Sequence, residues 1–144
     1  MKYRLENKKV LVVLEKGEEI FESLYEIIKK LDIKFGWING IGAASNIILG
    51  AYPSSTKEYI KKKFKGEFEL ASIMGNITTK EDNPFIHIHA TISDEECNAF
   101  AGHLFTATVS VTCEIILNIS NKSIVRKECN EVGLYLWDFN HNEK

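Results

Sequence analysis

A chain of 144 residues, 44% hydrophobic and 26% charged, has the ordinary balance of a globular protein and enough length for one core, so a single domain over residues 1–144 is expected. A formal net charge of −2 argues against a protein that works by overall basicity, and no apolar run approaches the roughly 20 residues a membrane helix needs. The opening MKYRLENKKV lacks the apolar stretch of a signal peptide, and Cys97, Cys113 and Cys129 have no CxxC spacing, so reduced thiols and a cytoplasmic location are expected.

The first clear element is the β-branched run Lys9–Leu14, which suits a buried strand. Beyond it, Ile20, Phe21, Leu24, Ile27, Ile28 and Leu31 recur at spacings of three and four. This predicts an amphipathic helix with one stripe against a sheet. Glu18 and Glu19 fall in its expected first turn and Lys29 and Lys30 in its last, as the helix dipole favours. FGWINGIGAASNIILGAY carries glycines at 36, 40, 42 and 50 and reads as strand, tight turn, strand. Its NGIGAA lacks the Lys-Ser/Thr and following helix of a phosphate loop.

KEYIKKKFKGEFELASIMGNI reads as two strands joined around Lys65–Gly66. Lys57, Lys61, Lys62, Lys63 and Lys65 cluster here, with Tyr59 and Phe64 interleaved. Such a cluster is either a phosphate-gripping patch or a charged edge that discourages strand pairing. PFIHIHATIS is a further strand. HLFTATVSVTCEIILNIS alternates Thr106, Thr108, Ser110 and Thr112 on one face with Ala107, Val109, Val111 and Cys113 on the other. KSIVRKECN and GLYLWDF finish the chain as strands. The expected class is α+β (mixed α/β), a largely antiparallel sheet packed against one principal helix. The Thr/Ser face of 106–112 and the small-residue stretch GIGAAS are poor finished surfaces, which predicts self-assembly that covers one of them.

Three of the four histidines, His87, His89 and His103, lie within twenty residues of one another. Residues i and i+2 of a strand share a face, so His87 and His89 project together, with Cβ atoms roughly 6–7 Å apart. The loop SDEECNAFAG and a turn at Gly102 are expected to return His103 beside them. Three imidazoles with a fourth position open form the ligand set of an exchangeable or catalytic divalent site, with zinc the expected ion and nickel, copper and iron also suited to imidazole ligands. Structural histidines paired with carboxylates are the competing reading. Glu114 and Glu69 are candidates to orient the histidines from behind; simple parity puts Glu114 and His103 on opposite faces unless a bulge intervenes. His141, near the polar C-terminus, is expected to take no part. Loss of metal is expected as pH falls through about 6.

These residues carry a family resemblance. LEKGEEIFESL, GWINGIGAASNIILGAY, FELASIMGNI, HIHATISDEECNAFAGHL and VSVTCEIIL together resemble the plant and prokaryote conserved (PPC) domain. The most specific pieces are His-x-His followed by Gly-His-Leu and the Thr-x-Glu of Thr112 and Glu114. The resemblance implies one principal helix against a largely antiparallel sheet, assembled as a homotrimer. It also implies DNA binding, the label prokaryotic members commonly carry, and in some members zinc held by histidines matching His87, His89 and His103. The family's fold is similar to that of acetolactate decarboxylase, a three-histidine metal enzyme, which raises a metal-dependent enzyme acting on a small molecule as the alternative.

Overall fold

The structure, a computed structural model, describes residues 1–141; the side chain of His141, and with it the expectation for that residue, lies outside the described residues. The chain runs β1 (Lys2–Glu6), β2 (Lys9–Glu15), α1 (Ile20–Lys30), β3 (Phe35–Ala51), β4 (Ile60–Lys80), β5 (Asn83–Ser93), β6 (Ala99–Ser120), β7 (Val125–Cys129) and β8 (Leu134–Asp138), ending in the 3-10 turn Phe139–His141. The strands form one sheet in the order β1-β2-β6-β3-β4-β7-β8, with β5 bridging β4 and β6. Pairing is antiparallel except for one parallel bridge, Thr79 with Val125. This is the mostly antiparallel sheet with a single helix that the sequence pattern predicts. No helix among the described residues is long and apolar enough to cross a membrane.

Helix α1 forms where its apolar spacing predicts, burying Ile20, Leu24, Ile27 and Ile28. Its start lies later than the acidic pair suggests. Glu19 is the N-cap, accepting from the Glu22 backbone N–H at 2.9 Å. The same carboxylate accepts from the Thr106 hydroxyl and the Ala107 N–H, which ties the helix to β6. Glu18 precedes the helix and pairs with the N-terminal ammonium. The helix stripe joins one core with Val10, Val12 and Leu14 of β2, Ile38, Ile47 and Leu49 of β3, and Ile86, Ile88 and Ile92 of β5, all buried.

Two predicted turns are absent. β3 is one strand of 17 residues, and β4 one of 21. The glycines that read as turn signals serve close strand approach instead. A Cβ on Gly42 would lie 2.7 Å from the Cys113 Cα, and one on Gly40 would lie 2.8 Å from the Glu114 carbonyl oxygen. Pairing of β3 with both neighbours slips here, so bulges bend the strand without breaking it. Gly66, at φ +99°, sits at the matching slip in β4.

Alternation along β6 holds for Ala107, Val109 and Cys113, which are buried. It fails at Val111, which is 63% exposed, and at Ser110, which is buried. The register explains the exception. Gly42 pairs with Cys113 and Ala44 with Val109, so β6 carries extra residues over 110–112 and turns Val111 outward. Cys113 is buried, Cys129 half-buried and Cys97 exposed, and none is in a disulfide.

One closure positions the histidines. β3 pairs with β4, β4 with β5, β5 with the first residues of β6, and that part of β6 returns to the end of β3. His103 is therefore held between His89 of β5 and Gly50 of β3.

Candidate metal centre

His87 and His89 share a face of β5, as the period of two requires. His89 and His103 are direct cross-strand partners, so all three imidazoles meet. Each offers a ring nitrogen, and these atoms all lie within 4.8 Å of one another. Ring centroids are 5.1 Å apart for His87–His89 and His87–His103, and 5.5 Å for His89–His103. His87 and His103 are half-buried and His89 is exposed.

The connection that brings His103 back differs from the expected Gly102 turn. Asp94 makes it: its carboxylate accepts from the backbone N–H of Glu96 at 3.1 Å and of Asn98 at 2.8 Å. Cys97 takes φ +63° to close the turn. Asp followed by Asn four residues later was the available sequence signal. Gly102 lies inside β6, opposite Ala90, where a Cβ would stand 2.8 Å from the Gly50 carbonyl oxygen. Its smallness lets β3 and β6 close around His103.

Aromatic rings wall the cluster. Tyr59 packs on His103 at 5.0 Å and Phe105 at 4.7 Å, and Tyr52 backs Tyr59. A side chain at Gly50 would collide with Phe105, at 2.6 Å, so this glycine makes room for the wall. On the other flank Arg126, from β7, is buried. It donates to Asn76 Oδ1 at 2.9 Å, Thr78 Oγ1 at 2.8 Å and the Tyr135 carbonyl at 2.7 Å. Asn76 is the cross-strand partner of His87. Phe105, Asn76 and Arg126 escape sequence reasoning because only the pairing of distant strands brings them here. Tyr59 is visible only as an aromatic among lysines.

Burial sets the proton chemistry. Desolvation, followed by the charge of Arg126 and then His89, lowers the His87 pKa to about 4. Desolvation, then His87, His89 and Lys61, lowers His103 to about 4. Both are therefore neutral at pH 7, the form that binds metal. His103 Nδ1 is buried and has no hydrogen-bond partner. A buried imidazole nitrogen without a partner, in a group of three histidines, fits a divalent ion, and His87, His89 and His103 are the residues that would hold it.

These values give the metal-free fold an acid sensitivity of its own. A histidine whose pKa drops from 6.5 when unfolded to about 4 when folded binds its proton more readily in the unfolded chain. Its contribution to stability is complete above 6.5 and is lost as pH falls toward 4. The thermal midpoint of metal-free protein is expected to fall over that interval. Replacing His87 and His103 together by Gln should flatten the profile there; calorimetry from pH 7 to 4 checks it, and an unchanged slope in the variant refutes the assignment.

The remaining candidates lie elsewhere. A bulge between Leu104 and Thr106 alters the simple parity, yet Glu114 stands opposite Ile41 and Val13, in the part of β6 that pairs with β2 and β3. Glu69 pairs with Ala43 and Ser93. Both carboxylates line a separate hollow with Ile41, Val111 and Thr112, and neither joins the three-histidine group. The lysines divide between faces. Lys61 lies over Phe105 at 4.0 Å, whereas Lys62 lies over Phe64 and Phe100 at 4.9 and 4.8 Å. Lys57 sits in the preceding turn and donates to the Asn130 carbonyl.

A largely antiparallel sheet packed against one helix, with three histidines converging from two adjacent strands, defines a small α+β protein with a potential metal centre. Residues 1–120 match the model of the Plants and Prokaryotes Conserved (PCC) domain, and the chain belongs to that family. Among solved structures it is similar to a candidate DNA-binding protein from Bacteroides thetaiotaomicron, with 29% identity, a TM-score of 0.94 and coverage of 97% of this chain and 98% of that one. It is similar also to a metal-containing protein from Archaeoglobus fulgidus, with 31% identity, a TM-score of 0.85 and coverage of 96% and 99%. Acetolactate decarboxylase from Bacillus subtilis shares the fold alone, at 15% identity and a TM-score of 0.56; the match covers 84% of this chain and 57% of the enzyme. No curated protein matches the chain.

Proposed function

We propose that the protein binds one divalent ion, zinc, through His87, His89 and His103, with a fourth coordination position left to an exogenous ligand. The observation that carries this reading is the convergence of three ligand nitrogens within 4.8 Å from two adjacent strands. The relative described as a metal-containing protein supports it. A zinc ion so held supplies Lewis-acid polarisation of a bound oxygen atom. The protein's own part is to hold three neutral imidazoles in fixed orientation and to wall one side with Tyr59 and Phe105. Calorimetric titration of chelator-treated protein with zinc tests the proposal. One ion per chain is expected; absence of saturable binding at neutral pH overturns it. Action as an enzyme on a small molecule rests on the likeness to acetolactate decarboxylase, which is one of fold, and fold does not fix function.

Homotrimeric assembly is part of the proposal. The sheet face away from α1 leaves Ile41, Met74, Ile116 and Val13 exposed around a hollow of about 810 Å³. An apolar face of this kind favours burial against another chain. Light scattering is expected to give about 49 kDa, three times the 16.4 kDa of one chain, and a monomer mass at micromolar concentration counts against it.

DNA binding is the second reading, supported by the names of relatives from Bacteroides thetaiotaomicron and Ralstonia eutropha and by the lysines of β4. If those lysines grip phosphates, affinity should fall with salt at a log–log slope of about −0.9 per contact. Because Lys61 and Lys63 share a face that Lys62 does not, Lys61→Glu with Lys63→Glu should weaken binding of any duplex, and Lys62→Glu alone should not. No gel shift by wild-type protein at about 50 mM salt removes this reading.

A further inference from the structure

Three neutral imidazoles leave a divalent ion with its whole charge uncompensated. The usual neighbours of such a centre are carboxylates and carbonyls, which accept from the imidazole N–H groups and offset the charge. Here the near neighbours are cations. The Lys61 ammonium lies 4.0 Å from the centroid of Phe105, and that ring packs at 4.7 Å on His103. The Arg126 guanidinium is bound to Asn76, the cross-strand partner of His87. Its hydrogen bonds go to the neutral oxygens of Asn76, Thr78 and Tyr135, so its charge is not neutralised by them. Among the described residues no carboxylate joins the three-histidine group.

An ion entering this site adds two charges to a region that already holds one fixed cation, Arg126, and one mobile one, Lys61, with no carboxylate of the described residues in the histidine group. Binding is favoured when an anion enters with the metal. We infer that the fourth coordination position takes the oxyanionic group, carboxylate or phosphate, of a small ligand, and that Lys61 at the exposed rim supplies attraction for it. The inference rests on the metal reading and names the class of ligand for the same site. Arg126 is buried and immobilised, and acts as a fixed background charge; Lys61 is exposed and free to follow the ligand.

The test uses full-length protein loaded with Co2+, whose visible absorption reports changes in coordination, in buffer free of coordinating anions. The probes are acetate, inorganic phosphate and, as a neutral shape control, acetamide. Acetate or phosphate is expected to change the spectrum saturably and acetamide is not; whichever anion binds more tightly identifies the oxyanion source. Lys61→Gln is expected to weaken anion binding about fivefold while leaving Co2+ affinity equal or higher, since it removes one repelling charge. A lysine that merely covers Phe105 would weaken both or neither. Failure of wild-type protein to take up Co2+ overturns this inference together with the metal reading. Uptake with no anion response, or an equal response to acetamide, overturns this inference alone, and unchanged anion affinity in Lys61→Gln overturns the role of that residue.

Discussion

His89→Ala is expected to weaken zinc binding by more than about 100-fold, since loss of groups that merely orient a metal ligand already costs about 10–100-fold. His89 is the sharpest probe because its ring is exposed and takes no part in the core. The variant should keep the metal-free stability of the wild type, so lost binding cannot be blamed on lost folding. Replacing His87 or His103 disturbs half-buried positions as well, and His103→Ala also removes the orphaned Nδ1. A second readout follows from linkage. Zinc at 100 times its dissociation constant stabilises the native state by about 2.7 kcal/mol. For a chain of this size that corresponds to a rise of about 5–10 °C in thermal midpoint. Wild-type protein should show this rise, and His89→Ala should show none at the same zinc concentration. A His87/His89/His103 triple alanine variant that binds zinc as tightly as wild type ends the metal reading.

Gly75→Ala is expected to destabilise the protein by about 3 kcal/mol through overpacking against backbone, although Ala would ordinarily gain about 0.5–1 kcal/mol over Gly within a strand. Gly75 sits in β4 between Ile38 of β3 and Ile88 of β5. A Cβ there would lie 2.9 Å from the Ile88 Cα and nearer still to the His87 carbonyl oxygen. Those atoms are backbone, so no side chain can swing aside and β4 and β5 must separate. His87 moves with them, and the same variant should lose zinc affinity. Urea unfolding gives the first quantity and metal titration the second. Stability within about 0.5 kcal/mol of wild type would show that the strands accommodate the methyl group.

The histidine pair was legible because strand geometry is local. In PFIHIHATIS the period of two puts His87 and His89 together whatever the rest of the chain does. Helix α1 was legible for the same reason, its spacing of three and four needing no partner to be read. Glycine was ambiguous. Gly40, Gly42 and Gly102 carry the same sequence signal as turn glycines, yet each permits close approach of a strand distant in the chain. Which of the two a glycine does is set by what lies opposite, and that is a tertiary fact. Hence two long strands read as four short ones, and the expected loop SDEECNAFAG shrinks to Asp94–Asn98, with Gly102 inside β6.

By itself the sequence determined an α+β protein with one amphipathic helix, and a pair of histidines on one strand face joined by a third nearby in the chain. Only the tertiary structure decided the register that sets His103 opposite His89, the burial that lowers His87 and His103 to about 4, and the company of Arg126, Tyr59 and Phe105. It also separated Lys61 from Lys62 and carried Glu69 and Glu114 to another hollow. The physical reason is one of range. Periodicity is enforced by neighbouring bonds, whereas charge environment and desolvation depend on contacts between strands distant in the chain, such as Asn76 with Arg126 and Gly50 with His103.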